Sequence, residues 1–220
     1  MVKSNVRKNY YSLAERKRRA KIVLNELERL FPDAKIALKF SNPWELLVAV
    51  MLSAQCTDKQ VNIVTAKLFK KYPRLDDYVR ANSAQFEKDI YSTGFYRVKA
   101  KNILAAAKMI SEKHGGKIPC TMAELVALPG VARKTANIVL GNACGVVEGI
   151  AVDTHVKRLS GVLGLSGNTD PNKIEKDLME VFPKEEWLSI TYKLIEYGRN
   201  HCFAKKHDHA NCPLAKIFGE

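Results

Sequence analysis

Residues 128 to 141, LPGVARKTANIVLG, place a Pro-Gly corner directly before a helical pattern that carries Lys134 near its start. An amine in that place has a possible chemistry. The positive end of a helix and partial burial both disfavour its charged form and lower its pKa, and a lysine with a depressed pKa attacks carbonyl-like carbons. The corner also leaves backbone N–H groups of the second helix without partners, where the helix dipole favours an anion such as a DNA phosphate. The plainer alternative is an ordinary αα-hairpin with a Pro-Gly corner. About twenty residues on, IAVDTHVKRLSGVLG sets Asp153 before a fresh helical pattern. Asp153 is a natural N-cap. A carboxylate near the C1′ of a sugar also stabilises the cation that forms as a base leaves, and one residue can do both.

These residues need elements to hold them, and the chain reads almost entirely as helix. Apolar residues recur at helical spacing in SLAERKRRAKIVLNELERLF, PWELLVAVMLSA, DKQVNIVTAKLFKKY and VKAKNILAAAKMISEKH. Between them stand Asn42-Pro43, Thr57-Asp58, Asn82-Ser83, Gly115-Gly116, Thr121, Pro129-Gly130, Asp153-Thr154, Gly167-Asn168 and Pro183, which read as stops or caps. An all-α fold of about ten short helices is expected, with no strand signal and no flexible linker. The basic run ERKRRAK is either a solvated helix face or a DNA-facing stripe.

Composition narrows the partners. With 220 residues, 46% of them hydrophobic, the chain can bury a real core, and its formal charge of +13 points to a polyanionic partner, most often nucleic acid. The five cysteines, an odd number with three inside apolar or helical stretches, argue for a reducing compartment. No stretch resembles a signal peptide or a membrane span, so an intracellular protein, cytoplasmic and nucleoid-associated, is expected.

The stretch LPGVARKTANIVLGNACGVVEGIAVDTHVKRL closely resembles the helix-hairpin-helix and Gly/Pro-Asp loop of the endonuclease III family of DNA glycosylases. PWELLVAVMLSAQCTDKQVN, STGFYRVKAKNI and GGKIPCTMAELVALPG resemble it too, in the right order, over roughly residues 40 to 200. The resemblance implies an all-helical fold of two domains: a six-helix barrel at residues 36–147 and a second domain from both chain ends, 1–35 and 148–220. It implies a monomeric base-excision enzyme acting on damaged or abasic duplex DNA. Lys134 would attack C1′ of an oxidised pyrimidine nucleotide, and the resulting Schiff base would allow β-elimination, with Asp153 assisting. An adenine- or mismatch-specific relative of the same fold, or a non-catalytic helix-hairpin-helix module, are the alternatives.

By the same resemblance Gln55 fills the gap left by a flipped base. Phe95 is either an apolar wedge or an aromatic core anchor. Gly130 and Ala132 form the phosphate turn, with Ala132 expected to be helical already. Arg133, Lys99, Lys157 and Lys205 are candidate phosphate contacts. The family ends in four cysteines holding a [4Fe–4S] cluster, but the corresponding positions here are Cys202, His209, Cys212 and Phe218. Two thiolates remain, so no cluster and no cofactor are expected, and the terminal loop is expected to be held by packing of Phe203, Leu214, Ile217 and Phe218. A Cys2His2 zinc site from Cys202, His207, His209 and Cys212 is the metal-bound alternative.

Overall fold

A computed structural model describes residues 11–205 and 207–218, and they form helices joined by short turns, with no strand among them. In chain order the α-helices are α1 (Leu13–Leu30), α2 (Pro43–Leu52), α3 (Asp58–Lys71), α4 (Leu75–Val79), α5 (Ser83–Ile90), α6 (Tyr96–His114), α7 (Met122–Ala127) and α8 (Arg133–Val139). They continue with α9 (Thr154–Val162), α10 (Pro171–Val181), α11 (Trp187–Asn200) and α12 (Pro213–Phe218). The chain divides into two compact units, Ala37–Glu148 and a second made from Met1–Ile36 with Gly149–Glu220.

The caps explain where the helices begin. Backbone N–H groups at first turns donate to Ser12 Oγ, Asn42 Oδ1, Thr57 Oγ1, Asn82 Oδ1, Thr121 Oγ1, Asp153 Oδ1 and Asp170 Oδ1 at 2.8 to 3.3 Å. Helices α4, α6, α8 and α11 have no such side-chain cap, and at α6 and α8 the N-cap residues Phe95 and Ala132 have no acceptor to offer. Gly115 ends α6 with φ +57°, and its neighbour Gly116 N donates back to the Ile110 carbonyl, a glycine C-cap.

In the Ala37–Glu148 unit, α2 is buried on every side from Trp44 to Leu52, as a helix apolar all round must be. It packs with α3, α6 and α8. An aromatic cluster of Trp44, Tyr72, Tyr78 and Phe86, with ring centroids 5.0 to 5.7 Å apart, closes one end of this core. A disulfide joins Cys120, just before α7, to Cys144, at the end of the π-helical turn Leu140–Cys144 that follows α8. This corrects the reading of the cysteines as a reduced set: two are too far apart in sequence to suggest pairing, yet the hairpin between them returns the chain.

The second unit has its own core, in which Val23 and Leu27 of α1 meet Val156, Leu159, Ile174, Leu178, Ile190 and Leu194. Part of the basic run of α1 is used internally. Arg16 pairs with Asp177 and Glu180, and Arg18 with Glu15. Buried Arg19 bonds the Leu163 carbonyl and lies over the rings of Tyr11 and Phe218 at 4.0 and 4.5 Å. Arg16 and Arg19 are therefore held within this unit, while Lys17, Arg18 and Lys21 of the same run stay exposed on the helix face. At the C-terminus Leu214 is buried and Phe218 packs, but Phe203 and Ile217 are each 48% exposed, so packing by all four does not hold the terminal loop.

The disulfide closes a loop around the α7–α8 hairpin, and such closure contributes about 3 kcal/mol through the unfolded chain. Oxidised protein, denatured with chelator present, is expected to show the three free thiols of Cys56, Cys202 and Cys212. Reduction should lower the urea-unfolding free energy by roughly that 3 kcal/mol. Five thiols before reduction would disprove the link.

Candidate DNA-repair site

The corner between α7 and α8 is a four-residue turn, with Val131 N donating to the Leu128 carbonyl at 3.1 Å. Pro129 takes its second position and Gly130, at φ +76°, its third, the residue pattern of a type II turn. Leu128 and Val131 are buried at either side and anchor it. Gly130 is required twice over. A Cβ there would sit 2.7 Å from Asn102 Nδ2 on α6, and the left-handed backbone costs an ordinary residue about 1 to 2 kcal/mol. Asn102 was not among the residues singled out from the sequence; only packing reveals it.

The turn delivers α8 with its first N–H groups uncapped. Ala132 is extended at φ −91° and ψ 167°, not helical as expected, because it occupies the N-cap and its carbonyl accepts from Ala136 N. Ala132, Arg133 and Lys134 are all exposed. Lys134 was expected to be partly buried. It is not, since one turn into α8 the buried face falls on Ala136, Asn137 and Val139 instead.

Asp153 belongs to the other unit. Its Oδ1 accepts from Val156 N at 2.8 Å, so it does cap α9. The carboxylate is half-buried, and its second oxygen receives no hydrogen bond from the described residues. Lys157 follows one turn later, exposed, as is Lys205 in the terminal segment.

Gln55 and Phe95 share an unusual property. They are the only non-glycine residues with left-handed backbone among the described residues, at φ +52° and +48°. Strain of this kind, of order 1 to 3 kcal/mol per residue, persists where surrounding structure imposes it. Both side chains are exposed, Phe95 by 65%, so Phe95 is not a core anchor.

Lys99 supplies the imposing structure. The expectation that it touches phosphate is wrong: it is only 6% exposed, and its Nζ donates to the carbonyls of Leu52 and Thr93, both at 2.8 Å. Leu52 ends the helix that leads to Gln55, and Thr93 ends the 3-10 turn Tyr91–Thr93 that leads to Phe95. One ammonium thus ties the two strained loops together, assisted by Gln60 Nε2 donating to Ser92 Oγ at 2.8 Å. Burial holds the Lys99 pKa below the ordinary lysine value.

In the terminal segment, the ligand atoms of Cys202, His207, His209 and Cys212 lie within 4.8 Å of one another, a group that could hold a metal ion. The cysteines are buried, His207 is half-buried and His209 exposed.

Residues 48–184 match the HhH-GPD superfamily of base excision DNA repair proteins. The chain is 47% identical to endonuclease III of Synechocystis sp., over 93% of this chain and 94% of that protein. It is 49% identical to endonuclease III of Bacillus subtilis, over 90% of each. Two solved structures, a non-covalent endonuclease III–DNA complex and a trapped endonuclease III–DNA covalent intermediate, each superpose with a TM-score of 0.87 at 45% identity, covering 91% of this chain and 94% of the other. A thermostable thymine-DNA glycosylase shares the fold at 19% identity, with a TM-score of 0.79.

Replacing Lys99 by Met keeps its methylenes and leaves the Leu52 and Thr93 carbonyls without their donor. A loss of about 2 kcal/mol or more in unfolding free energy is expected, with faster amide exchange at residues 53–57 and 91–96. Exchange accelerated evenly over the whole unit, or not at all, would remove Lys99 from this role.

Proposed function

This chain belongs to the HhH-GPD superfamily of base excision DNA repair proteins and, within it, to the endonuclease III family, and from that membership and its own geometry we propose a bifunctional DNA glycosylase and AP lyase acting on oxidised pyrimidines in duplex DNA. The observation that carries the reading is the exposed Lys134 amine on the first turn of a helix whose N-terminus is left uncapped by a Pro-Gly turn. The start of a helix without a side-chain cap suits a phosphate, and the lysine then stands beside a held strand.

Chemistry at C1′ is blocked inside the base stack, so the target nucleotide must leave it. Phe95, exposed at the tip of one strained loop, is suited to wedge the stack, and Gln55, at the tip of the other, to occupy the vacated space. The Lys134 amine gives up its proton and attacks C1′, the bond to the base breaks, and the base leaves with its electron pair and takes up a proton. The unbonded Asp153 oxygen offsets the positive charge that grows on the sugar. Loss of the amine proton and ring opening give an imine between Lys134 Nζ and C1′. That imine acidifies the C2′ proton, whose removal expels the 3′ phosphate by β-elimination, and water then frees the lysine. Arg133, Lys157 and Lys205 are assigned to phosphate, in keeping with the net charge of +13.

A [4Fe–4S] cluster, implied by the family resemblance, does not fit the donors present. Of Cys202, His209, Cys212 and Phe218, the last puts an aromatic ring against Arg19 and offers no ligand. No step is routed through it, and no helix among the described residues is long and apolar enough to cross a membrane.

Lys134→Ala is expected to abolish borohydride trapping on abasic duplex DNA while leaving DNA affinity nearly intact, since the backbone turn survives. Asp153→Asn should slow base excision by about 10²-fold or more, the usual worth of an electrostatic stabiliser. Undiminished trapping in the first variant would make Lys134 a phosphate contact, and unchanged excision in the second would leave Asp153 a cap alone. Binding to undamaged duplex should also weaken steeply with salt, and a flat dependence would deny the positive charge its role.

A further inference from the structure

The terminal segment has a donor set of its own, independent of the glycosylase reading. Cys202 and Cys212 bracket a short loop that carries His207 and His209, and the loop closes so that one atom from each of the four lies within 4.8 Å of the others. His207 Nε2 is 3.3 Å from Cys212 Sγ, and His209 Nδ1 is 3.9 Å from that same sulfur. Four ligands arranged tetrahedrally around one zinc ion, at about 2.0 to 2.3 Å from it, stand roughly 3.3 to 3.8 Å apart. The two separations to Cys212 Sγ match this, and the set as a whole, within 4.8 Å, needs a contraction of about 1 Å at most to close on one ion. A cubane would spread four ligands over four separate irons, and only two sulfurs are present to meet them.

The surroundings of these ligands are also arranged. His207 Nδ1 lies 2.9 Å from the Lys205 carbonyl, so that nitrogen carries the proton and donates it, leaving the Nε2 lone pair directed at the cysteine. A ligating histidine is held in this way by the group behind it. Arg158 Nη1 donates to Cys202 Sγ at 3.4 Å, and its Nη2 donates to the Cys202 carbonyl. Cys212 Sγ donates to the His201 carbonyl at 3.3 Å, a proton that leaves when the sulfur ligates. The two imidazoles meet at 4.3 Å between centroids with no acidic side chain needed to complete the set.

We infer that Cys202, His207, His209 and Cys212 form a mononuclear Cys2His2 site for Zn²⁺, a structural metal in place of an iron–sulfur cluster. Binding forms two Zn–S and two Zn–N bonds and releases the two thiol protons to solvent, so the charges of ion and thiolates cancel and Arg158 remains outside as a hydrogen-bond donor. The metal takes over the role that packing of Phe203 and Ile217 does not fill. It fastens the loop bearing Lys205 to the Tyr197 end of α11, where Leu214 N already donates to Tyr197 Oη at 3.1 Å.

The test reads metal rather than excision, so its failure leaves the proposed function standing. Full-length protein carrying no histidine tag, purified from zinc-replete cells, is expected to hold about one zinc per chain and negligible iron or acid-labile sulfide. Co²⁺ exchanged into it should give tetrahedral d–d bands with a thiolate charge-transfer band. His209→Ala, at an exposed position chosen so that folding is retained, should weaken Zn²⁺ binding by about tenfold or more, as should Cys212→Ser. Chelation should lower the wild-type melting temperature and leave that of His209→Ala nearly unchanged. Iron with acid-labile sulfide, protein that takes up no zinc on dialysis against Zn²⁺, or wild-type zinc affinity in folded His209→Ala would each overturn the site.

Discussion

The left-handed backbone at Gly130 is the constraint on which the α7–α8 hairpin depends. A turn that reverses the chain between two helices in four residues needs a positive φ at its third position, and the space there is taken by Asn102. Only glycine meets both demands. Everything after the turn inherits its direction: Ala132 is held extended at the N-cap, where it supplies no side-chain cap to α8, and Lys134 emerges exposed. Buried Leu128 and Val131 convert this local geometry into a fixed one, and the disulfide from Cys120 to Cys144 embraces both helices.

A second device acts through a charge buried for the sake of the backbone. An ammonium is costly to bury unless its protons are satisfied, and at Lys99 two carbonyls from different segments accept them. The outcome is a strut between the ends of two elements that could otherwise fray apart. It accounts for the coexistence of two strained, exposed residues, Gln55 and Phe95, in a unit whose other non-glycine residues avoid the left-handed region. The strain is concentrated at two exposed positions, and the support lies one layer beneath them.

The terminal segment follows a third logic. A loop with two exposed apolar residues has little core of its own, and small elements of this kind are commonly fastened by a metal or a covalent link. Here the cysteines are buried, the histidines close over them, and Arg158 and the Lys205 carbonyl orient the set. Two sulfurs and two imidazole nitrogens stand together here, a group that could hold a metal ion, where an iron–sulfur cluster would need four ligands on four irons.

Much of this protein is determined locally and was legible in the sequence. Helical periodicity, together with Asn42, Thr57, Asn82, Thr121 and Asp153 as caps, specifies all-α structure, because each cap bonds a backbone N–H three residues away. The Pro129-Gly130 turn and the lysine after it are likewise local. What depends on partners distant in sequence was not legible. Lys99 reads as one surface lysine among many until Leu52 and Thr93 are seen on either side of its amine. In the run ERKRRAK nothing marks Arg16 and Arg19 off from their exposed neighbours until Asp177, Glu180 and the Leu163 carbonyl are seen to hold them. Cys120 and Cys144 read as separate thiols, and Asn102 as a helix residue of no distinction. A side chain's type states which bonds it can make, and only the tertiary structure decides which partner is close enough to make them.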